Sequence, residues 1–79
     1  MTKIQIQQEI TNVLIQMGIP PKAITQKASY YKDLGLDSLD FTEMIMEFEL
    51  RLGLNINCTE LDNIKTIKDT IDCIIRLKN

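Results

Sequence analysis

The feature that most constrains this chain is residues 33 to 52, Asp-Leu-Gly-Leu-Asp-Ser-Leu-Asp-Phe-Thr-Glu-Met-Ile-Met-Glu-Phe-Glu-Leu-Arg-Leu. A glycine turn at Gly35 comes first, followed by an acid and a hydroxyl, Asp37 and Ser38, where a helix should start. From there Phe41, Met44, Ile45, Phe48 and Leu52 recur at helical spacing and make one apolar stripe. Asp40, Glu43 and Glu47, three and four residues apart, share the opposite face. Leu39, Met46 and Leu50 fall along the edge of that outer side, where burial is not required. A helix of this kind needs partners for its stripe and leaves an acidic side to solvent.

The remainder of the chain supplies those partners. Ile6, Ile10, Val13, Leu14 and Met17 predict a first helix over residues 3–17, stopped by Gly18 and by Pro20-Pro21. Residues 22–36 hold no long periodic segment, although Lys22-Ala23-Ile24 suits a short turn. A connection this long in a small domain is expected to be tied down by its own side chains, here Ile24, Ala28, Tyr30 or Tyr31, and Leu34. Gly53 closes the second helix, and Leu54 and Ile56 continue in extended form. Thr59–Asn63 reads as a short third helix, with Glu60 and Asp62 suited to a first turn. Thr66 and Asp69 resemble a capping box opening a last helix, with Ile67, Ile71, Ile74 and Ile75 inside. The fold class expected is all-α: a small four-helix bundle of three main helices and a short third one, in a single domain over residues 1–79.

Composition sets limits on what such a bundle can do. An apolar share of 44%, with 13 Ile and 9 Leu, suffices for a core without staples. No apolar run approaches the ~18 residues of a membrane span, and no basic-then-apolar leader is present, so the chain is expected to be soluble, cytoplasmic and monomeric. Residues 33–62 carry eight acids against Arg51 alone, a sum of −7, while the flanks carry three acids and eight bases, a sum of +5. Scattered lysines and a concentrated negative field make nucleic acid a poor partner and a protein with a basic patch a good one. Cys58 and Cys73 are expected to be reduced thiols that pack.

An enzyme is hard to build from this inventory. There is no histidine, so neither Ser38 nor a cysteine has an obvious general base, and a bare hydroxyl is a weak nucleophile at neutral pH. No metal site is expected from Asp37, Asp40 and Glu43 on an exposed helix start. The three glycines are isolated and form no phosphate loop. Ser38 itself has two readings: it is the N-cap of the helix, or Asp37 caps and the serine hydroxyl is left free.

Asp33-Leu34-Gly35-Leu36-Asp37-Ser38-Leu39-Asp40, followed by Glu43, resembles the phosphopantetheine attachment motif of acyl carrier proteins, and the likeness extends along nearly the whole chain. It is closer to stand-alone acyl carriers than to peptidyl carriers, which more often have glycine in place of Leu36 and histidine in place of Asp37. The resemblance implies that a separate, magnesium-dependent phosphopantetheinyl transferase attaches 4′-phosphopantetheine from coenzyme A to Ser38. The arm then carries acyl groups as thioesters to fatty-acid or related biosynthetic enzymes, and the chain itself catalyses nothing. It also implies that Asp37, Leu39, Asp40, Glu43, Met46 and Glu47 form the face read by the transferase and by acyl-handling enzymes with basic docking patches. The mild charge of −2, together with Leu50, Arg51 and Cys58-Thr59, departs from the family's usual acidity. Amino-acyl or other specialised cargo, and an unmodified helical interaction module, stand as alternatives.

Overall fold

A computed structural model describes residues 2–78. Four α-helices follow one another, α1 (Lys3–Gln16), α2 (Ser38–Leu52), α3 (Cys58–Asp62) and α4 (Ile67–Lys78), with a 3-10 turn at Pro21–Ala23. Among the described residues no strand forms, and only Ser29 and Thr66 make an isolated antiparallel bridge. The all-α bundle expected from the periodicity is the fold observed.

The start of α1 is set by a capping box that the periodicity did not reveal. Thr2 Oγ1 accepts the Gln5 amide N–H at 3.1 Å, and Gln5 Oε1 accepts the Thr2 N–H at 2.8 Å. At its other end Met17 is the C-cap, so the helix stops one residue short of the expected 17. Gly18 follows at φ 93°, a left-handed position suited to glycine. The apolar faces of α1 (Ile6, Ile10, Val13, Leu14) and α2 (Phe41, Met44, Ile45, Phe48, Leu52) are buried, and α1 packs against both α2 and α4. Each large apolar side chain so buried contributes about 1.5–3 kcal/mol relative to exposure.

The long connection between α1 and α2 is irregular but anchored. Ala28, Tyr30, Leu34 and Leu36 are buried, and Ile24 packs partly against the core. Of the two adjacent tyrosines it is Tyr30 that goes inside. Its hydroxyl shares a hydrogen bond with Thr70 Oγ1 of α4 at 2.5 Å. Burial pushes the Tyr30 phenol well above its usual titration range. Backbone bonds from Tyr30 N to Lys65 O, Ile67 N to Ala28 O and Lys68 N to Gln26 O complete the seam.

Three sequence expectations shift in detail, and a fourth holds. The short helix spans Cys58–Asp62, one residue earlier than expected, because Asn57 caps it by accepting the Glu60 N–H at 2.9 Å. Cys58 therefore sits at the start of that helix and is exposed; only Cys73 packs. In α4 the inner face is rotated: Thr70 and Cys73 join Ile67, Ile71 and Ile74 in the core, while Ile75 is only half-buried. Thr70 can go inside because Tyr30 and the Thr66 carbonyl satisfy its hydroxyl. The expected box at Thr66 and Asp69 forms: Asp69 Oδ2 accepts the Thr66 and Lys65 N–H groups, and Thr66 Oγ1 accepts the Asp69 N–H.

Candidate functional site

The approach to Ser38 is a wound turn with fixed ends. Ser29 N donates to Asp33 Oδ2 at 2.7 Å, Lys32 N to Ser29 Oγ at 3.2 Å, and the Asp33 and Leu34 amides donate to the Ser29 carbonyl. Leu34 and Leu36 are both buried, and the chain turns between them. Gly35 makes that turn at φ 68°. Leu36 N then donates to Tyr30 O at 3.0 Å, closing the loop two residues before Ser38.

Asp37 is the N-cap of α2, and Ser38 is the first helical residue. The Asp37 carboxylate accepts the Asp40 N–H at 2.8 Å, and the Asp40 carboxylate reaches back to the Asp37 N–H at 3.4 Å. This reciprocal pair is a capping box with aspartate at both places. Of the two readings of Ser38, the structure therefore selects the second. Its side chain is exposed, and among the described residues its hydroxyl makes no hydrogen bond. Only its backbone carbonyl is engaged, accepting Thr42 Oγ1 at 2.9 Å. A group joined to that hydroxyl would sit at the positive end of the α2 dipole, a position that suits a phosphate.

The outer side of α2 differs in emphasis from the sequence expectation. Its large apolar residues Leu50 (77%), Leu39 (67%) and Met46 (56%) stand exposed to solvent. Glu43 is exposed beside them, whereas Asp40 is half-buried and Glu47 is half-buried on the shoulder that faces α1. There Glu43 and Glu47, with Val13, Gln16 and Met17, line a shallow hollow between the two helices. Arg51 explains the shift. Its guanidinium pairs with Glu47 at 3.2 Å and Glu9 at 3.6 Å, and donates to Gln16 Oε1 at 2.8 Å. The lone base of the acidic segment is thus a clamp between α2 and α1, and it neutralises Glu47 locally. Glu49, on the other flank, has its carboxylate taken by the Ile56 N–H at 2.8 Å.

A second polar cluster lies away from Ser38. Glu60 Oε2 accepts Arg76 Nη2 at 2.6 Å and the Cys73 thiol at 3.3 Å. Burial and then the Glu60 carboxylate push the Cys73 thiol up, which disfavours the nucleophilic thiolate. Sequence reasoning gave Glu60 a helix-dipole role and missed its partners, which lie 13 and 16 residues away. Among the described residues no group of three or more His, Cys, Asp or Glu side chains is arranged to hold a metal ion. Among the described residues no helix is long and apolar enough to cross a membrane.

A small helical bundle that leaves one serine hydroxyl free at a helix entrance has a place where a group could be joined. Residues 8–74 match the family model described as "Phosphopantetheine attachment site". That match spans most of the 79-residue chain, and the protein belongs to this acyl-carrier-type family. Its cofactor is 4′-phosphopantetheine, held covalently. The site fits such a group: the helix is already capped by Asp37, so modifying the neighbouring hydroxyl sacrifices no hydrogen bond of the fold.

Proposed function

We propose that Ser38 bears the arm, and that residues 1–79 act as one non-catalytic domain carrying acyl intermediates for fatty-acid or related biosynthesis. The observation that carries this reading is the division of labour at the start of α2: Asp37 caps, and Ser38 is exposed and unengaged. In the loading step, the Ser38 oxygen forms a bond to the phosphorus of coenzyme A that bears the pantetheine. The bond from that phosphorus to the adenosine bisphosphate breaks, and the bisphosphate leaves. The serine proton passes to a base of the transferase, since this chain has no histidine to take it. When bound, the arm supplies a terminal thiol for thioester exchange.

The residues around Ser38 support the docking role expected of Asp37, Leu39, Asp40, Glu43, Met46 and Glu47. Leu39 and Met46, with Leu50, give a partner an apolar strip, and Glu43 gives it a free charge beside that strip. Asp37 and Asp40 keep a negative field at the helix entrance while capping it. Exposed charge pairs of this kind are worth under ~1 kcal/mol each and are screened by salt, which suits a carrier that must leave each enzyme. The exposed free thiol of Cys58 fits a reducing cytoplasm, and this reading takes the working form as a monomer.

Intact mass after incubation with coenzyme A and a phosphopantetheinyl transferase tests the assignment. The wild-type chain should gain one phosphopantetheine, and Ser38→Ala should gain none while keeping its helical circular-dichroism spectrum. Full labelling of Ser38→Ala, for instance on Ser29, would show the attachment site to be elsewhere.

A further inference from the structure

The segment before Ser38 contains two adjacent tyrosines with different fates. Tyr30 supplies the buried anchor, through its ring and its bond to Thr70. Tyr31 is 48% exposed, and its ring stacks on Phe41 with centroids 5.6 Å apart and planes 29° from parallel. Tyr30 meets the same Phe41 edge-on, also at 5.6 Å. Three of the four aromatic side chains in the protein therefore form one cluster, and Tyr31 is its outermost member. Phe41 lies three residues beyond Ser38 on α2, which places their side chains about 5–6 Å apart at Cβ. The Leu36-to-Tyr30 backbone bond holds the tyrosine loop against the same helix entrance.

On these observations we propose that half-exposed Tyr31 is a contact site for the prosthetic arm, receiving the geminal methyls and first amide that follow the phosphate. The proposal rests on the attachment of that arm to Ser38. Phe41 stacks on one face of the ring, and the residue as a whole is nearly half exposed. An aromatic face next to the point of attachment offers apolar area to methyl groups and a flat surface to an amide plane. Loop anchorage does not require this ring, because Tyr30 already provides it. An arm resting there is held beside the loop, on the side of Ser38 that carries Phe41, while the apolar strip of Leu39, Met46 and Leu50 stays open to partners. The ring orders the proximal half of the arm and leaves the thiol end free.

The test uses the full chain converted by coenzyme A and transferase, as wild type and as Tyr31→Phe, Tyr31→Leu and Tyr31→Ala. Peptide mass locates the modification, and proton NMR reads the geminal methyl resonances. In wild type and Tyr31→Phe these resonances should lie upfield of free phosphopantetheine, with Overhauser contacts to the ring at position 31. Tyr31→Leu, which keeps apolar cover over Phe41, and Tyr31→Ala should both lose the displacement. Methyls at the free positions in Ser38-modified wild type, or equally displaced in Tyr31→Ala, would overturn the contact and leave the attachment reading standing. Modification at another residue would overturn the attachment reading and the contact with it.

Discussion

The connection from residue 24 to 37 and the short helix α3 are held by opposite means. The first has almost no regular structure, yet four of its side chains are buried and three backbone bonds tie it to the segment entering α4. The second is helical, yet no residue of it is buried; Leu61 packs only partly, and its firmest ties are polar, from Glu60 to Arg76 and Cys73. Regularity and anchorage are separate properties. Local hydrogen bonding makes α3 a helix, but burial decides what stays in place when the molecule fluctuates. The firm region leads into Ser38 and the weakly held one does not.

The largest expected effect comes from breaking the anchored region at its centre. Tyr30 is fully buried, and large-to-small replacement of such an aromatic costs about 3–5 kcal/mol. A domain of this size has roughly 4–12 kcal/mol in total, so Tyr30→Ala should sit at the edge of folding. Tyr30→Phe should lose only about 1 kcal/mol, because Thr70 keeps its bond to the Thr66 carbonyl. Urea titration of both variants checks the pair. Equal losses would mean that the hydroxyl, not the ring, holds the connection.

These two regions also mark where sequence reading succeeds and where it stops. The stripes of α1 and α2 were legible because each is a local pattern repeated over several turns, and the buried residues of α2 are the five that the spacing names. Which tyrosine goes inside was left open, since adjacent aromatics look alike. It is decided by Thr70, 40 residues on. Thr70's place inside goes with an inner face of α4 that leaves Ile75 only half-buried. Around Ser38 the local devices were readable, namely the glycine turn and an Asp37 able to cap. The long-range ones were not: Arg51 reads as one base among acids until Glu9 and Gln16 come beside it.

An intermediate effect is expected where the connection joins α4. Asp69 caps that helix, accepting the Lys65 and Thr66 N–H groups. Burial pushes its carboxyl up, but these bonds, the Thr66 hydroxyl and Lys68 outweigh it, and the net direction is down. A carboxyl held below its unfolded value adds stability above that value and loses it as pH falls through the folded one. Asp69→Ala should therefore cost about 1 kcal/mol at neutral pH. The gap to wild type should narrow only below pH ~4, the unfolded carboxylate value. A gap unchanged down to the acid transition would show that the charge is irrelevant to the cap.

The smallest effect on global stability, and the sharpest on the comparison, should come from Glu60. If polar ties alone hold α3, removing them should free it without unfolding the bundle. Glu60→Gln and Arg76→Gln each break the charged pair, so amide exchange over residues 58–62 should accelerate in both, with midpoints of global unfolding nearly unmoved. Cys73 separates the two variants. Its thiol lies against the Glu60 carboxylate, which adds to the effect of burial in holding it protonated. Glu60→Gln removes that carboxylate as well as loosening the cover, whereas Arg76→Gln loosens the cover and leaves the carboxylate in place. Alkylation of Cys73 at constant pH should therefore be faster in Glu60→Gln than in Arg76→Gln, which also takes away the cation that holds the thiol down. Wild-type amide exchange in both variants would show that α3 is held by the partial burial of Leu61, and the contrast between the two regions would be one of degree.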